Sequence, residues 1–192
     1  MEQSKRKQIE VEFRALLDKN EYSSLIRTLN EKAKDLGEDD KIIHFFIFPD
    51  KLLKVTNNLT QNSAKITLKL NRIGNGSMFE ELEVPIAQTE VDKMARIFQT
   101  FDFEYLLEPI VRRHNYLYKG VELAVKYSAS WQHHVELEIV IDDEADHAKA
   151  EQTIREIAKE LSLRLMTEGE LASFTKNIEE TYKLQSRQTT AN

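Results

Sequence analysis

The feature that most constrains this chain is a pattern of alternation. Several short segments carry apolar residues on one side and charged residues on the other, at the period of two that belongs to a β-strand. The first, IEVEFRAL, sets Ile9, Val11, Phe13 and Ala15 against Glu10, Glu12 and Arg14. In Lys65–Asn71, Lys65, Thr67, Lys69 and Asn71 oppose Ile66, Leu68 and Leu70, and in MFEELEVPI, Glu81 and Glu83 oppose Leu82, Val84 and Ile86. In a later strand Glu136 and Glu138 share a face. A strand of this kind belongs to a sheet with one face on an apolar layer and the other on water or a polar cavity.

The segments between follow helical or turn patterns. Tyr22, Leu25, Ile26, Leu29 and Ala33 predict a helix over 22–36, with Gly37 as its stop. IIHFFIF (Ile42–Phe48) reads as a strand ended by Pro49-Asp50, and Leu52–Thr56 as a short return strand. IGNGS makes the turn into Met78–Ile86. Further helices are expected over 88–100, 145–161 and 168–184, and strands over 107–118, 121–128 and 133–142, the first two joined at Lys119-Gly120. The order is strand, helix, four strands, helix, three strands, two helices. It lacks the regular strand–helix alternation of a parallel sheet. The fold class is therefore α+β: an eight-stranded antiparallel β-barrel surrounded by four amphipathic helices. Apolar strand faces would turn outward to the helices and charged faces into the lumen. One domain spans 1–184, followed by a polar tail, 185–192.

Composition narrows the function. The chain has 192 residues, 41% hydrophobic and 31% charged, enough for a sizeable core. It has no cysteine, which excludes disulfides and thiolate metal sites. A net charge of −6 argues against a nucleic-acid polymer as partner. The longest apolar run, near Phe45–Phe48, is too short to span a bilayer, so no membrane association is expected. MEQSKRK leads into no apolar h-region, and a cytoplasmic setting is the expectation. Phosphate-loop, nucleophile-elbow and H-E-x-x-H motifs are absent.

Three E-x-E pairs on separate strands, Glu10/Glu12, Glu81/Glu83 and Glu136/Glu138, are interleaved with bases at Arg14, Lys54, Lys65, Lys69 and Arg113. Each pair alone is equally what a solvated strand face looks like, and Glu81 and Glu83 equally suit structural ion pairs. His133 and His134 are adjacent on a strand and point to opposite faces, so one ion could not easily take both. His44 and Trp131 read as packed side chains.

Taken in order, these motifs resemble the CYTH superfamily, the triphosphate tunnel metalloenzymes. Glu10-Val11-Glu12-Phe13-Arg14 resembles the family's N-terminal E-x-E-x-K signature. Thr67-Leu68-Lys69 is similar to its T-x-K strand and Glu81-Leu82-Glu83 to the next E-x-E. Arg113 with Tyr116 resembles its later basic strand, and Glu136-Leu137-Glu138 its closing E-x-E. The resemblance implies a tunnel that holds Mg²⁺ or Mn²⁺ and a small triphosphate-bearing substrate. Metal would sit on Glu10, Glu12, Glu136 and Glu138. Phosphates would meet Arg14, Lys54, Lys65, Lys69 and Arg113. Glu12, Glu81 and Glu83 would serve catalysis by positioning bases or a water. The implied activity is hydrolysis of inorganic triphosphate, thiamine triphosphate or a nucleotide. The alternatives are class IV-type adenylyl cyclisation, or triphosphate binding without turnover. A homodimer is left open. Four positions depart from the family pattern: Arg14 replaces lysine, Thr56 and Val111 stand where bases are expected, and Lys126 lies near the place of an acid.

Overall fold

The computed structural model describes residues 9–70, 77–101 and 104–189. Its strands are β1 (Ile9–Leu16), β2 (Lys34–Glu38), β3 (Lys41–Ile47), β4 (Leu52–Asn58), β5 (Ser63–Lys69), β6 (Met78–Ile86), β7 (Glu104–Tyr118), β8 (Val121–Ser128) and β9 (Gln132–Ile141). Its α-helices are α1 (Lys19–Lys32), α2 (Val91–Gln99), α3 (His147–Glu160) and α4 (Glu168–Thr189). Every strand pairing is antiparallel. The strands run β7-β3-β4-β5-β6-β1-β9-β8, and β8 pairs back onto β7, which closes a ring of eight. β2 is a ninth strand, paired with β7 outside the ring.

Closure follows from what each strand buries. The outward residues of β1, β8 and β9, among them Val11, Val125, Val135 and Leu137, are fully buried with Leu25 and Leu29 of α1 and Ile154 and Ile157 of α3. A second layer packs Val91 and Ala95 of α2 on Phe46 and Val55 of β3 and β4. Burying each such side chain contributes roughly 1.5–3 kcal/mol. With the apolar faces spent outward, the charged faces are left inside. The Lys119-Gly120 turn has φ of 50° and 85°, the left-handed pair that suits a two-residue hairpin.

Four expectations need correction. α1 starts and stops earlier than the apolar spacing suggests. Asp18 caps Asn20 and Glu21, the Glu21 side chain bonds back to Asp18, and the helix ends at Lys32. Gly37 is not its stop: it lies in β2 at φ 91°, where the register against β7 shifts. The sequence KDLGE has little strand propensity, so β2 is visible only through its pairing with β7. The helical coat is also incomplete. Leu82 and Val84 of β6 remain 54% and 57% exposed, and α4 places Thr175, Ile178 and Glu179 at the lumen instead of against the outer wall. Finally, α4 runs through Gln185 to Thr189, a stretch expected as tail. The IGNGS turn up to Gly76 lies outside the described residues. No helix among the described residues is long and apolar enough to cross a membrane.

Candidate active site

The ring encloses a cavity of about 350 Å³. Alternation delivers Glu10, Glu12 and Arg14 to it from β1, Lys54 from β4, Lys65 and Lys69 from β5, Glu81 from β6, Arg113 from β7, and Glu136 and Glu138 from β9. Ten of the eleven site residues predicted from the motifs line the cavity; Glu83 follows the same parity as Glu81 but is not among the lining residues. It pairs with Lys65, both side chains being well exposed, and accepts a hydrogen bond from Thr67 at 3.1 Å.

The acids divide into separate groups. Glu10, Glu12 and Glu138 each offer a carboxylate oxygen within 4.8 Å of the others. The register sets Glu138 opposite Glu12 on one side and opposite Glu122 on the other. Like charges about 4 Å apart repel by roughly 4 kcal/mol at an effective dielectric of about 20. Burial, then Glu10 and Glu12, pushes the Glu138 carboxyl up to about 8. Glu10 is raised by burial too, against the pull of Lys69. Glu136 is not part of this group. Its Oε1 accepts from Arg14 Nε at 2.9 Å, and its Oε2 pairs with Lys126. Burial opposes its charge, but Lys126 and Arg14 outweigh burial and hold it well below the usual carboxylate range.

Glu81 belongs to a base network. Lys69 Nζ lies 2.7 Å from Glu81, 3.0 Å from Glu10 and 3.4 Å from Glu12, and Lys54 Nζ lies 3.7 Å from Glu81. Burial works against ionising Glu81, yet Lys54 and Lys69 bring it down to about 2. Burial also disfavours the Lys69 ammonium, but Glu12, Glu10 and Glu81 raise it above the ordinary lysine range. Lys69 further sits over the Phe79 ring, 4.6 Å from its centre.

Residues beyond the motif set complete the wall. Lys41 of β3 and Lys126 of β8 line the cavity with Arg113, and the register sets Arg113 opposite Lys126. Burial lowers Lys41 to about 8, helped by Arg113. It lowers Lys126 to about 8 as well, because its one carboxylate partner, Glu136, is shared with arginine and Arg113 opposes it. Asp39 anchors this group. It lies 2.6 Å from Lys41 Nζ and 3.4 Å from Arg113 Nε, and receives the side-chain amides of Asn58 and Asn115. The two expected bases are indeed replaced, by Thr56 and Val111, but Lys41 and Lys126 bring positive charge to the same lumen. Lys41 escaped detection because IIHFFIF is apolar on both faces and gives no inward side; it shares the lumen face with Ile43 and Phe45 once the structure shows which side that is. His134 also reaches the lumen, and burial lowers it to about 4, so it is neutral at ordinary pH. Trp131 packs against Phe174 at 4.9 Å and under Arg14 at 5.3 Å.

The CYTH domain profile matches residues 8–167. The chain belongs to the CYTH family. CYTH proteins are a family of triphosphate tunnel metalloenzymes, and the closed sheet here is tunnel-like. The fold is shared with PH1819 from Pyrococcus horikoshii OT3, at 19% identity and a TM-score of 0.68, over 85% of this chain and 97% of that one. PH1012 from the same organism aligns at 21% identity and 0.64, over 81% and 91%. HpAC1 from Hippeastrum, a candidate adenylyl cyclase with a dominant triphosphatase activity, aligns at 14% identity and 0.58, over 82% and 89%. No curated protein matches the chain in sequence. CYTH membership implies a triphosphate-bearing ligand, and CYTH enzymes are metal-dependent.

Proposed function

We propose that this CYTH protein hydrolyses a triphosphate with Mg²⁺ or Mn²⁺ in its tunnel. The observation that carries the reading is the meeting, in one cavity of about 350 Å³, of a carboxylate trio and cations from six strands of the ring. The trio fits a hard divalent cation. Its oxygens converge within 4.8 Å, and its members hold one another's charge in check. Glu10, Glu12 and Glu138 would hold the metal, which would neutralise phosphoryl charge and lower the cost of generating a nucleophilic water.

The chain's own side chains do the rest. Arg14, Lys54, Lys69, Arg113, Lys41 and Lys126 take phosphoryl oxygens from several directions, with arginines as forks and lysines as point charges. Lys65, the most exposed of the lining bases that pair with an acid, meets the substrate from β5. Glu81 stays ionised and holds Lys54 and Lys69 in place, which makes it a positioning residue. Glu83 does the same for Lys65. Glu136, ionised between Arg14 and Lys126, aims those two bases into the lumen. In-line attack then relies on positioning and charge stabilisation.

The test is phosphate release from inorganic triphosphate, ATP and thiamine triphosphate, with Mg²⁺ or Mn²⁺ and with EDTA. The reading expects metal-dependent release from at least one of them, lost in Glu12→Gln. Cyclic AMP with pyrophosphate from ATP would replace hydrolysis by cyclisation. Binding without product would reduce the protein to a triphosphate carrier.

A further inference from the structure

His134 is a lumen group that the triphosphatase reading leaves without a task. It lies on the inward face of β9, opposite Lys126 of β8 and Leu16 of β1, four residues before Glu138 of the carboxylate trio. Its neighbour His133 packs instead between the Tyr22 and Tyr127 rings, 4.4 and 4.8 Å away. The His134 imidazole is held in one tautomer. Its Nδ1 lies 3.0 Å from the Gln132 carbonyl oxygen, and a carbonyl only accepts, so Nδ1 carries the proton and Nε2 a lone pair. The chain bends to make this bond: Gln132 has φ of 57°, a left-handed conformation uncommon for a residue with a side chain. Trp131 packs on the ring at 5.2 Å between centres, and the Gln132 side chain is tied to the Ala129 carbonyl at 2.8 Å. His134 is only 4% exposed, yet no hydrogen bond among the described residues reaches Nε2. A strained backbone that fixes a buried ring at a cavity wall points to a group held in place for use.

The neighbours of His134 in the lumen are donors. Arg14 and Lys126 already take the two oxygens of Glu136. A terminal phosphoryl group meets such donors with its oxygens. The water that attacks it needs the opposite, an acceptor that draws off a proton and turns a lone pair toward phosphorus. We propose that His134 Nε2 is this acceptor, the general base at the end of the triphosphate away from the metal. As the water oxygen bonds to the terminal phosphorus, the bridging P–O bond breaks and its electron pair leaves with the remaining diphosphate. The water proton passes to Nε2, and the imidazolium keeps its Nδ1 bond to Gln132 until it returns the proton to the departing diphosphate. Burial first, then Lys126 and Arg14, outweigh Glu136 and keep the ring of the free protein neutral. A bound triphosphate offsets those two positive charges, so the ring gains proton affinity when substrate is present. This rests on the triphosphatase reading and assigns its proton acceptor.

The test is phosphate release by the wild type, His134→Ala and His134→Phe, from whichever of inorganic triphosphate, ATP and thiamine triphosphate the wild type uses best, with thermal unfolding as the check on folding. His134→Phe keeps a ring against Trp131 and removes the lone pair. Both variants are expected to lose about 10²–10³-fold in kcat with KM within about twofold. Free imidazole is expected to restore about tenfold in His134→Ala, where it can enter the vacated space, and nothing in His134→Phe. A nitrogen-15 spectrum of the wild type supplies a readout without turnover or mutation, and the Nδ1–H tautomer is expected. A proton on Nε2, a raised KM with kcat unchanged, or full kcat in either folded variant overturns the assignment and leaves the triphosphatase reading intact. Binding of all three substrates by the wild type without phosphate release overturns that reading, and the general base falls with it.

Discussion

At one corner of the tunnel Glu10, Glu12 and Glu138 face one another. Lys69 reaches Glu10 and Glu12, Arg14 reaches Glu12, and no hydrogen bond or ion pair reaches Glu138 among the described residues. At the other corner Lys41, Arg113 and Lys126 converge, and there each cation has a carboxylate: Asp39 for Lys41 and Arg113, Glu136 for Lys126, Glu122 for Arg113. The acidic corner is thus electrostatically incomplete and the basic corner is internally satisfied. A cation added to the first relieves repulsion, while an anion added to the second must compete with carboxylates already in place. This difference predicts opposite responses to the same change, carboxylate to amide, at two residues only two apart on β9.

The largest effect is expected on turnover. Glu138→Gln should lower kcat by about 10³-fold, several kcal/mol of transition-state stabilisation, as measured by phosphate release at saturating Mg²⁺. Next is stability at Glu136. Its amide leaves the buried Arg14 and Lys126 without their shared anion, a loss of about 3 kcal/mol or more, which for a chain of this size lowers Tm by roughly 6–12 °C in calorimetry. Glu138→Gln should do the reverse in metal-free protein and raise Tm by a few degrees. If both amides moved Tm the same way, the contrast between the corners would fail. Third, Lys126→Ala should raise KM about tenfold or more in steady-state kinetics, the worth of one charged hydrogen bond to phosphate.

The smallest effect is a pH slope. The folded Glu138 carboxyl titrates near 8, above its ordinary value of 4.5, so the folded protein keeps a proton that the unfolded chain releases. The stability from this group is complete below about 4.5 and is lost as pH rises through about 8. Denaturation midpoints of metal-free protein should fall over that window. The slope should flatten in Glu138→Gln and on adding Mg²⁺.

Much of this was legible in the sequence where alternation was clean. Period two placed Glu10, Glu12, Lys69, Glu81, Glu136 and Glu138 on one strand face each, the family resemblance added Arg113, and the eight-stranded ring followed from the order of elements. Legibility failed where the period carried no contrast. β3 is apolar on both faces because it lies between α2 and an apolar stretch of lumen, so neither Lys41 nor Phe45 could be assigned. β2 owes its existence to an edge of β7, a partner some 80 residues away. The split of the four expected metal acids into a trio and Glu136 is set by register across β1, β9 and β8, which a single strand's pattern does not contain. α4 has an apolar stripe like the other helices, and nothing local distinguishes a helix that lines the lumen from one that coats the wall.

The most direct test is a calorimetric titration of metal-free protein with Mn²⁺, run in parallel on Glu138→Gln and Glu136→Gln. The account predicts saturable binding to the wild type, at least tenfold weaker binding to Glu138→Gln, and binding by folded Glu136→Gln close to that of the wild type. Equal affinity of wild type and Glu138→Gln, or loss of binding only in a folded Glu136→Gln, would contradict it.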